Sequence, residues 1–164
     1  VIQKKICLLG DFSVGKTSLV RRFVEGRYDE RYHSTIGVSV VRRRLDRPAG
    51  ALNFILWDLA GGENDAHISN YLIGAAGGLI VCDLTRPETL QCFTRCAAQL
   101  RAVNPQAVLV FAANKVDLVE TRCLGEDALR EASAGGPLVY TSAKTGEQVA
   151  RAFELLAEQL EARA

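Results

Sequence analysis

Residues 10–17 read Gly-Asp-Phe-Ser-Val-Gly-Lys-Thr, and the spacing G-x-x-x-x-G-K-[ST] is that of a phosphate-binding loop. Gly10 and Gly15 permit backbone N–H groups to turn toward phosphate oxygens, and a helix starting there adds a dipole that favours anions. Lys16 sets a point charge on the terminal phosphates, while the Thr17 hydroxyl is a hard ligand suited to Mg2+. Ile2–Leu9 is a mostly apolar run that predicts a strand. From Thr17 onward, Leu19, Val20, Phe23 and Val24 share one helical face that ends near Gly26. An ordinary glycine loop with a surface lysine needs neither flank.

Working outward, residues 28–37 are polar and without period, which predicts a loop. Val38–Leu45 and Leu52–Leu56 predict two strands, joined through the turn residues Arg47-Pro48-Ala49-Gly50. A glycine-rich, polar stretch runs from Gly61 to about Ile73. Gly78–Cys82 and Val108–Ala113 are unbroken apolar runs expected as buried strands, and Leu138–Thr141 as a last one. Leu90, Phe93, Ala97 and Leu100 mark an amphipathic helix, Gly125–Ala134 a short one, and Val149, Phe153, Leu156 and Leu160 a closing one. The pattern predicts an α/β fold: a six-stranded, doubly wound, mostly parallel sheet with one antiparallel edge strand and helices on both faces. Ligands of such sheets sit outside the carboxyl ends of the strands, where most of the motifs fall.

The chain of 164 residues carries 48% hydrophobic residues and a net charge of +1. That length is enough for one domain with a real core and excludes disorder, and near-neutrality argues against nucleic-acid binding through a broad basic face. No apolar run reaches the roughly 18–20 residues of a membrane span, and no signal peptide opens the chain, so a soluble, intracellular protein is expected. Five scattered cysteines fit a reducing compartment. Cys92 and Cys96, four apart on the predicted helix, are expected as small buried thiols rather than metal ligands. No methionine is present, even at residue 1, so a longer natural chain is expected.

Asn114-Lys115-Val116-Asp117 follows the strand Val108–Ala113 directly. A carboxylate at Asp117 can accept hydrogen bonds from guanine N1–H and its exocyclic amine, whereas adenine would face it with an unpaired acceptor. Loss of such a charge-assisted pair costs about 1.5–3 kcal/mol, enough to discriminate. Ser142-Ala143-Lys144 after the last strand completes an order of three motifs that selects guanine. Together with Thr35-Ile36-Gly37-Val38, Trp57-Asp58-Leu59-Ala60-Gly61 and Thr141–Glu147, these motifs make the chain resemble a small GTPase of the Ras superfamily over almost its whole length, closest in style to the Rab branch.

The resemblance implies a single P-loop NTPase G domain over residues 1–164 that binds GTP or GDP with Mg2+, hydrolyses GTP and acts as a molecular switch. It implies that Ser13, Val14, Gly15, Lys16, Thr17 and Ser18 hold the phosphates, and that Thr17, Thr35 and Asp58 serve Mg2+. Thr35 and the Gly61 N–H would sense the γ-phosphate, and Lys16, Thr35 and Gly61 would serve catalysis. Tyr28, Asn114, Lys115, Asp117, Ser142, Ala143 and Lys144 would enclose the base. Effectors, an exchange factor and a GTPase-activating protein would engage residues 28–45 and 59–73. The chain would be cytoplasmic, meeting a membrane only through a lipidated tail, and Glu161-Ala162-Arg163-Ala164 carries no terminal cysteine motif.

Several positions depart from the family pattern. Gly62 stands where a water-orienting glutamine is usual, and losing one positioned group of that kind costs about two to three decades of rate. Phe12 replaces a small residue. It either crowds the γ-phosphate, or points to solvent or packs on the second switch. Slow intrinsic hydrolysis is therefore expected, with Glu63, Asn64, Asp65 or His67 as substitutes for the missing group. The second switch is about one residue short. Val40 leaves an effector-facing cluster with Trp57 and Tyr71 incomplete. Arg42–Arg44 on the edge strand either meet an acidic partner or are solvated residues that block sheet pairing. The competing reading is a hydrolysis-deficient, GTP-bound interaction module within a larger protein. A P-loop nucleotide kinase would need an arginine-rich lid, and the sequence has no such insert.

Overall fold

The first strand, β1 (Ile2–Leu9), sends alternate side chains into two separate cores. Ile6 and Leu8 face one, Cys7 and Leu9 the other, and all four are at most 2% exposed. A strand buried on both faces belongs in the middle of a sheet. In the computed structural model, which describes residues 2–28, 37–61 and 65–163, β1 pairs in parallel with β3 (Gly50–Leu59) and β4 (Ala75–Asp83). With β2 (Val38–Arg47), β5 (Val108–Asn114) and β6 (Leu138–Thr141), the six-stranded order is β2-β3-β1-β4-β5-β6. Among the described residues only the β2–β3 pair is antiparallel, its register closing at Arg47 opposite Gly50 around Pro48-Ala49.

Helices α1 (Lys16–Glu25) and α5 (Val149–Ala162) cover one face of this sheet. Phe23 and Phe153 stack there with centroids 4.0 Å apart. The other face carries α2 (Asp65–Leu72), α3 (Gln91–Val103) and α4 (Glu126–Ala132). A one-turn 3-10 helix, Pro87–Leu90, leads into α3. Gly78 is a packing requirement, because a Cβ there would lie 2.7 Å from Leu100 Cδ2. The edge hairpin is tied to α5 by a two-pronged ion pair, Arg47 Nε and Nη2 on Glu161 Oε1 and Oε2 at 2.8 and 3.1 Å.

The α/β architecture agrees with the sequence pattern; two details differ. The polar stretch after Gly61 contains α2, whose few apolar residues, Ile68, Tyr71 and Leu72, suffice to seat it on the second core. Cys92 and Cys96, expected as separate thiols, are joined as a disulfide, since four residues is one helical turn and both side chains face inward. Cys7 and Cys82 keep their thiols, each pushed up to about 12 by burial. Arg42, Arg43 and Arg44 are exposed along the edge strand, with Arg44 on Asp46 at 3.0 Å and Arg43 over the Phe23 ring. Among the described residues, no helix is long and apolar enough to cross a membrane.

Phe153 is fully buried at the centre of the first core. Replacing it by alanine is expected to lower the unfolding free energy by about 3–5 kcal/mol in urea denaturation.

Candidate functional site

At the carboxyl end of β1 the chain turns through residues 10–15 before α1 begins, and five successive carbonyls of that turn are each held by a side-chain nitrogen. Lys16 Nζ donates to Gly10 O at 2.9 Å and Asp11 O at 3.0 Å. Arg86 Nη1 donates to Phe12 O at 2.8 Å, Lys115 Nζ to Ser13 O at 3.2 Å, and Asn114 Nδ2 to Val14 O at 2.9 Å. Two residues accept left-handed backbone to make this possible, Ser13 at φ 61° and Lys115 at φ 69°, at a cost of about 1–3 kcal/mol each. Gly15, at φ 106°, must be glycine on two counts, since a Cβ would also sit 2.2 Å from Asn114 Nδ2. The first turn of α1 has no side-chain cap and no acidic residue, so its dipole meets no negative side chain of its own and favours an anion there.

Lys16 is 6% exposed. Burial, opposed by the nearby Asp58 and Asp11 carboxylates, pulls its ammonium down to about 8. Next to it, Thr17 Oγ1 donates to Asp58 Oδ2 at 2.6 Å across from the end of β3. A hydroxyl beside a buried carboxylate is a hard-oxygen pair that fits Mg2+, which takes few protein ligands and keeps the rest for water and phosphate. Gly61 packs on the loop itself: a Cβ there would lie 2.4 Å from Phe12 N and 2.6 Å from Asp11 C. Phe12 is half-exposed at 50%. Thr35, Gly62, Glu63 and Asn64 lie outside the described residues, and Asp65 and His67 fall in α2.

The ends of β5 and β6 form a second compartment. Asn114 Oδ1 accepts from Thr141 Oγ1 at 3.0 Å, which fixes its amide toward Val14. Asp117 Oδ1 accepts from Ser142 Oγ at 2.7 Å, and that oxygen accepts in turn from Thr145 N–H at 3.1 Å. Around these lies a cavity of about 190 Å³ lined by Gly15, Ser18, Tyr28, Asn114, Lys115, Asp117, Leu118, Ala143 and Lys144. The loop 10–17 and the segments Asn114–Asp117 and Ser142–Lys144 thus meet in one place, with Asn114 and Lys115 touching the loop and lining the cavity.

Sequence reasoning missed three groups here. Asp83, fully buried at the end of β4, reaches Lys115 Nζ at 2.8 Å through Oδ2, while Oδ1 accepts from Thr85 N–H and Oγ1. Arg95 of α3 pairs with Asp11 at 2.8 Å, and Arg86 holds Phe12 O. A charged residue closing an otherwise apolar strand was the one available signal, for Asp83.

Residues 5–162 match the family model described as the Ras family. The chain belongs to the Ras family. This Rab-like small GTPase is 37% identical over 153 residues to the Ras-related protein Rab-22A of Mus musculus, a match spanning 91% of this chain and 79% of that one. It is 36% identical over 163 residues to the Ras-related protein RABF2b of Arabidopsis thaliana (97% and 82% covered). It is also 34% identical over 158 residues to the GTP-binding nuclear protein GSP1 of Encephalitozoon cuniculi (93% and 74% covered).

On the sheet surface beside the site of this Ras-family chain, Val40 lies opposite Trp57 in register and is 47% exposed. Trp57 and Tyr71 stand tilted with centroids 6.5 Å apart, and Lys5 Nζ sits 3.7 Å over the indole. The three cluster residues named from the sequence are therefore neighbours.

Because the folded chain releases the Lys16 proton near pH 8 and the unfolded chain near 10.5, the unfolded state binds more protons between those values and stability rises with pH. Without nucleotide, the wild-type unfolding free energy is expected to gain about 3 kcal/mol on Lys16→Met from pH 7 to 11. Parallel urea titrations of the two proteins check it, and a pH-independent difference would contradict the buried ammonium.

Proposed function

We propose that this chain, a single G domain over residues 1–164, binds GTP and GDP with Mg2+ and switches partners with the state of the nucleotide. The observation that carries this is the meeting of the carbonyl-anchored phosphate loop with the Asp117–Ser142 compartment, one site for an anionic tail and a guanine edge. In this reading the N–H groups from Ser13 to Ser18 and the Lys16 ammonium hold the phosphates. Asn114 ties the loop to the base pocket, Lys115 lies along one face of the base and Tyr28 packs near it. Asp117 accepts from guanine N1–H and N2–H, and the Ala143 N–H meets its carbonyl. Ser142 and Lys144 support this edge, Ser142 by fixing the Asp117 carboxylate.

Bound Mg2+ would be held by Thr17, by Asp58 through water and by Thr35, and would neutralise charge on the phosphate oxygens. Hydrolysis adds water to the γ-phosphorus as the bond to the β–γ bridging oxygen breaks, giving GDP and phosphate. Lys16 and the Gly61 N–H stabilise the equatorial charge. Gly62 offers no side chain to orient that water, which makes the intrinsic rate low, and half-exposed Phe12 stands at the mouth of the loop. Effectors, an exchange factor and a GTPase-activating protein would read residues 28–45 and 59–73, segments that GTP draws inward and hydrolysis releases.

Calorimetry is expected to find tight GTP and GDP binding and much weaker ATP binding. Asp117→Ala should lose about 10- to 150-fold in GTP affinity with little change for ATP. Equal affinity for ATP and GTP would overturn the reading. In single-turnover assays Gly62→Gln should raise hydrolysis by about two to three decades. An unchanged, negligible rate would instead favour the GTP-loaded interaction module.

A further inference from the structure

The turn between β4 and α3 grips two consecutive carbonyls of the phosphate loop. Asp83 opens it and holds Lys115, which reaches Ser13 O. Three residues on, Arg86 reaches Phe12 O. The base of this arm is rigid. Arg86 N–H donates to Asp83 O at 3.0 Å. Fully buried Thr89 accepts from the Asp83 N–H at 2.9 Å through Oγ1, which also donates to Arg86 O at 2.7 Å. Arg86 precedes Pro87 and has the extended backbone that proline imposes on its neighbour, φ −130° and ψ 94°. Glu88 Oε1, 3.2 Å from Arg86 Nε, orients the guanidinium from the other side.

The Phe12–Ser13 peptide is trans, so its N–H points opposite its C=O. With Arg86 fixing the carbonyl outward, the Ser13 N–H is directed away from Arg86. A cation on a peptide oxygen also polarises the whole amide and strengthens its N–H as a donor. Resting on the nucleotide-binding reading above, we infer that Arg86 is a positioning residue for the phosphate tail. It acts through the Phe12–Ser13 peptide, orienting and strengthening the Ser13 N–H toward the anion. The arm Asp83–Thr89 therefore sets the affinity of the cradle for phosphates and leaves the choice of base to Asp117.

The test compares wild type, Arg86→Ala, Arg86→Gln and Arg86→Lys as full chains. Arg86→Ala should weaken GDP and GTP alike by about tenfold. The preference for GTP over ITP, which lacks the exocyclic amine, should stay constant, and Arg86→Lys should restore most of the loss. In the GDP-bound protein, the Ser13 amide proton resonance should move upfield in Arg86→Ala while the Gly15 amide holds its position. A Ser13 amide that does not move, or a lysine variant as weak as alanine, overturns the inference. So does a loss of GTP-over-ITP preference that parallels the loss of affinity. Should the alanine variant not fold, Arg86→Gln, a neutral donor of similar reach, must show an intermediate shift and affinity, and equality with wild type refutes the role of charge. Failure of wild type itself to bind GDP defeats the nucleotide reading and is recognised before any variant is compared.

Discussion

The structure depends on the capture of a run of outward-facing carbonyls, residues 10 to 14, by side chains from elsewhere in the chain. A loop this short at a strand end has strained backbone at Ser13 and polar groups partly withdrawn from water. Unpaired, the buried Val14 carbonyl would cost about 1–3 kcal/mol. Asn114 removes that cost, and with Lys16, Arg86 and Lys115 it fixes the direction of the peptides along the loop. The donors come from α1, the turn after β4 and the end of β5, so the cradle exists only once β1, β4 and β5 are paired. Fold and site are in this sense one event.

Burial of charge follows from the same geometry. Lys16 lies in the loop it helps to shape, and burial there lowers its proton affinity against the pull of the Asp58 and Asp11 carboxylates. Asp58 and Asp83 are almost wholly enclosed, and each stands within ion-pair or hydrogen-bond reach of a group that belongs to the site. The two cores on either side of the sheet hold these polar residues in place, since β1, β3, β4 and β5 end together at one edge.

Much of this was legible in the residues. The loop 10–17, the edge hairpin and the buried strands carry strong local signals, because glycine spacing and unbroken apolar runs have few alternative meanings. Asn114–Asp117 and Ser142–Lys144 are weak alone and informative in order, and the structure brings them around one cavity. What stayed hidden was tertiary. Asp65–Leu72 is polar enough to look like loop, and only the second core makes it a helix. Arg86 and Arg95 are ordinary surface residues by sequence, and no local pattern says that one will meet Phe12 O and the other Asp11. Cys92 and Cys96 had the right separation to meet, yet spacing alone did not distinguish two thiols from a bond.

Trp57 is the only tryptophan of the chain. It sits one residue before Asp58, under the Lys5 ammonium and beside Tyr71 of α2. Its indole emission depends on that charge and on that ring, so displacement of the Lys5 ammonium or of the Tyr71 ring alters the light the protein gives out. The molecule thus carries an intrinsic optical reporter, needing no dye, between the Thr17–Asp58 hydrogen bond and the exposed Val40 on the sheet surface.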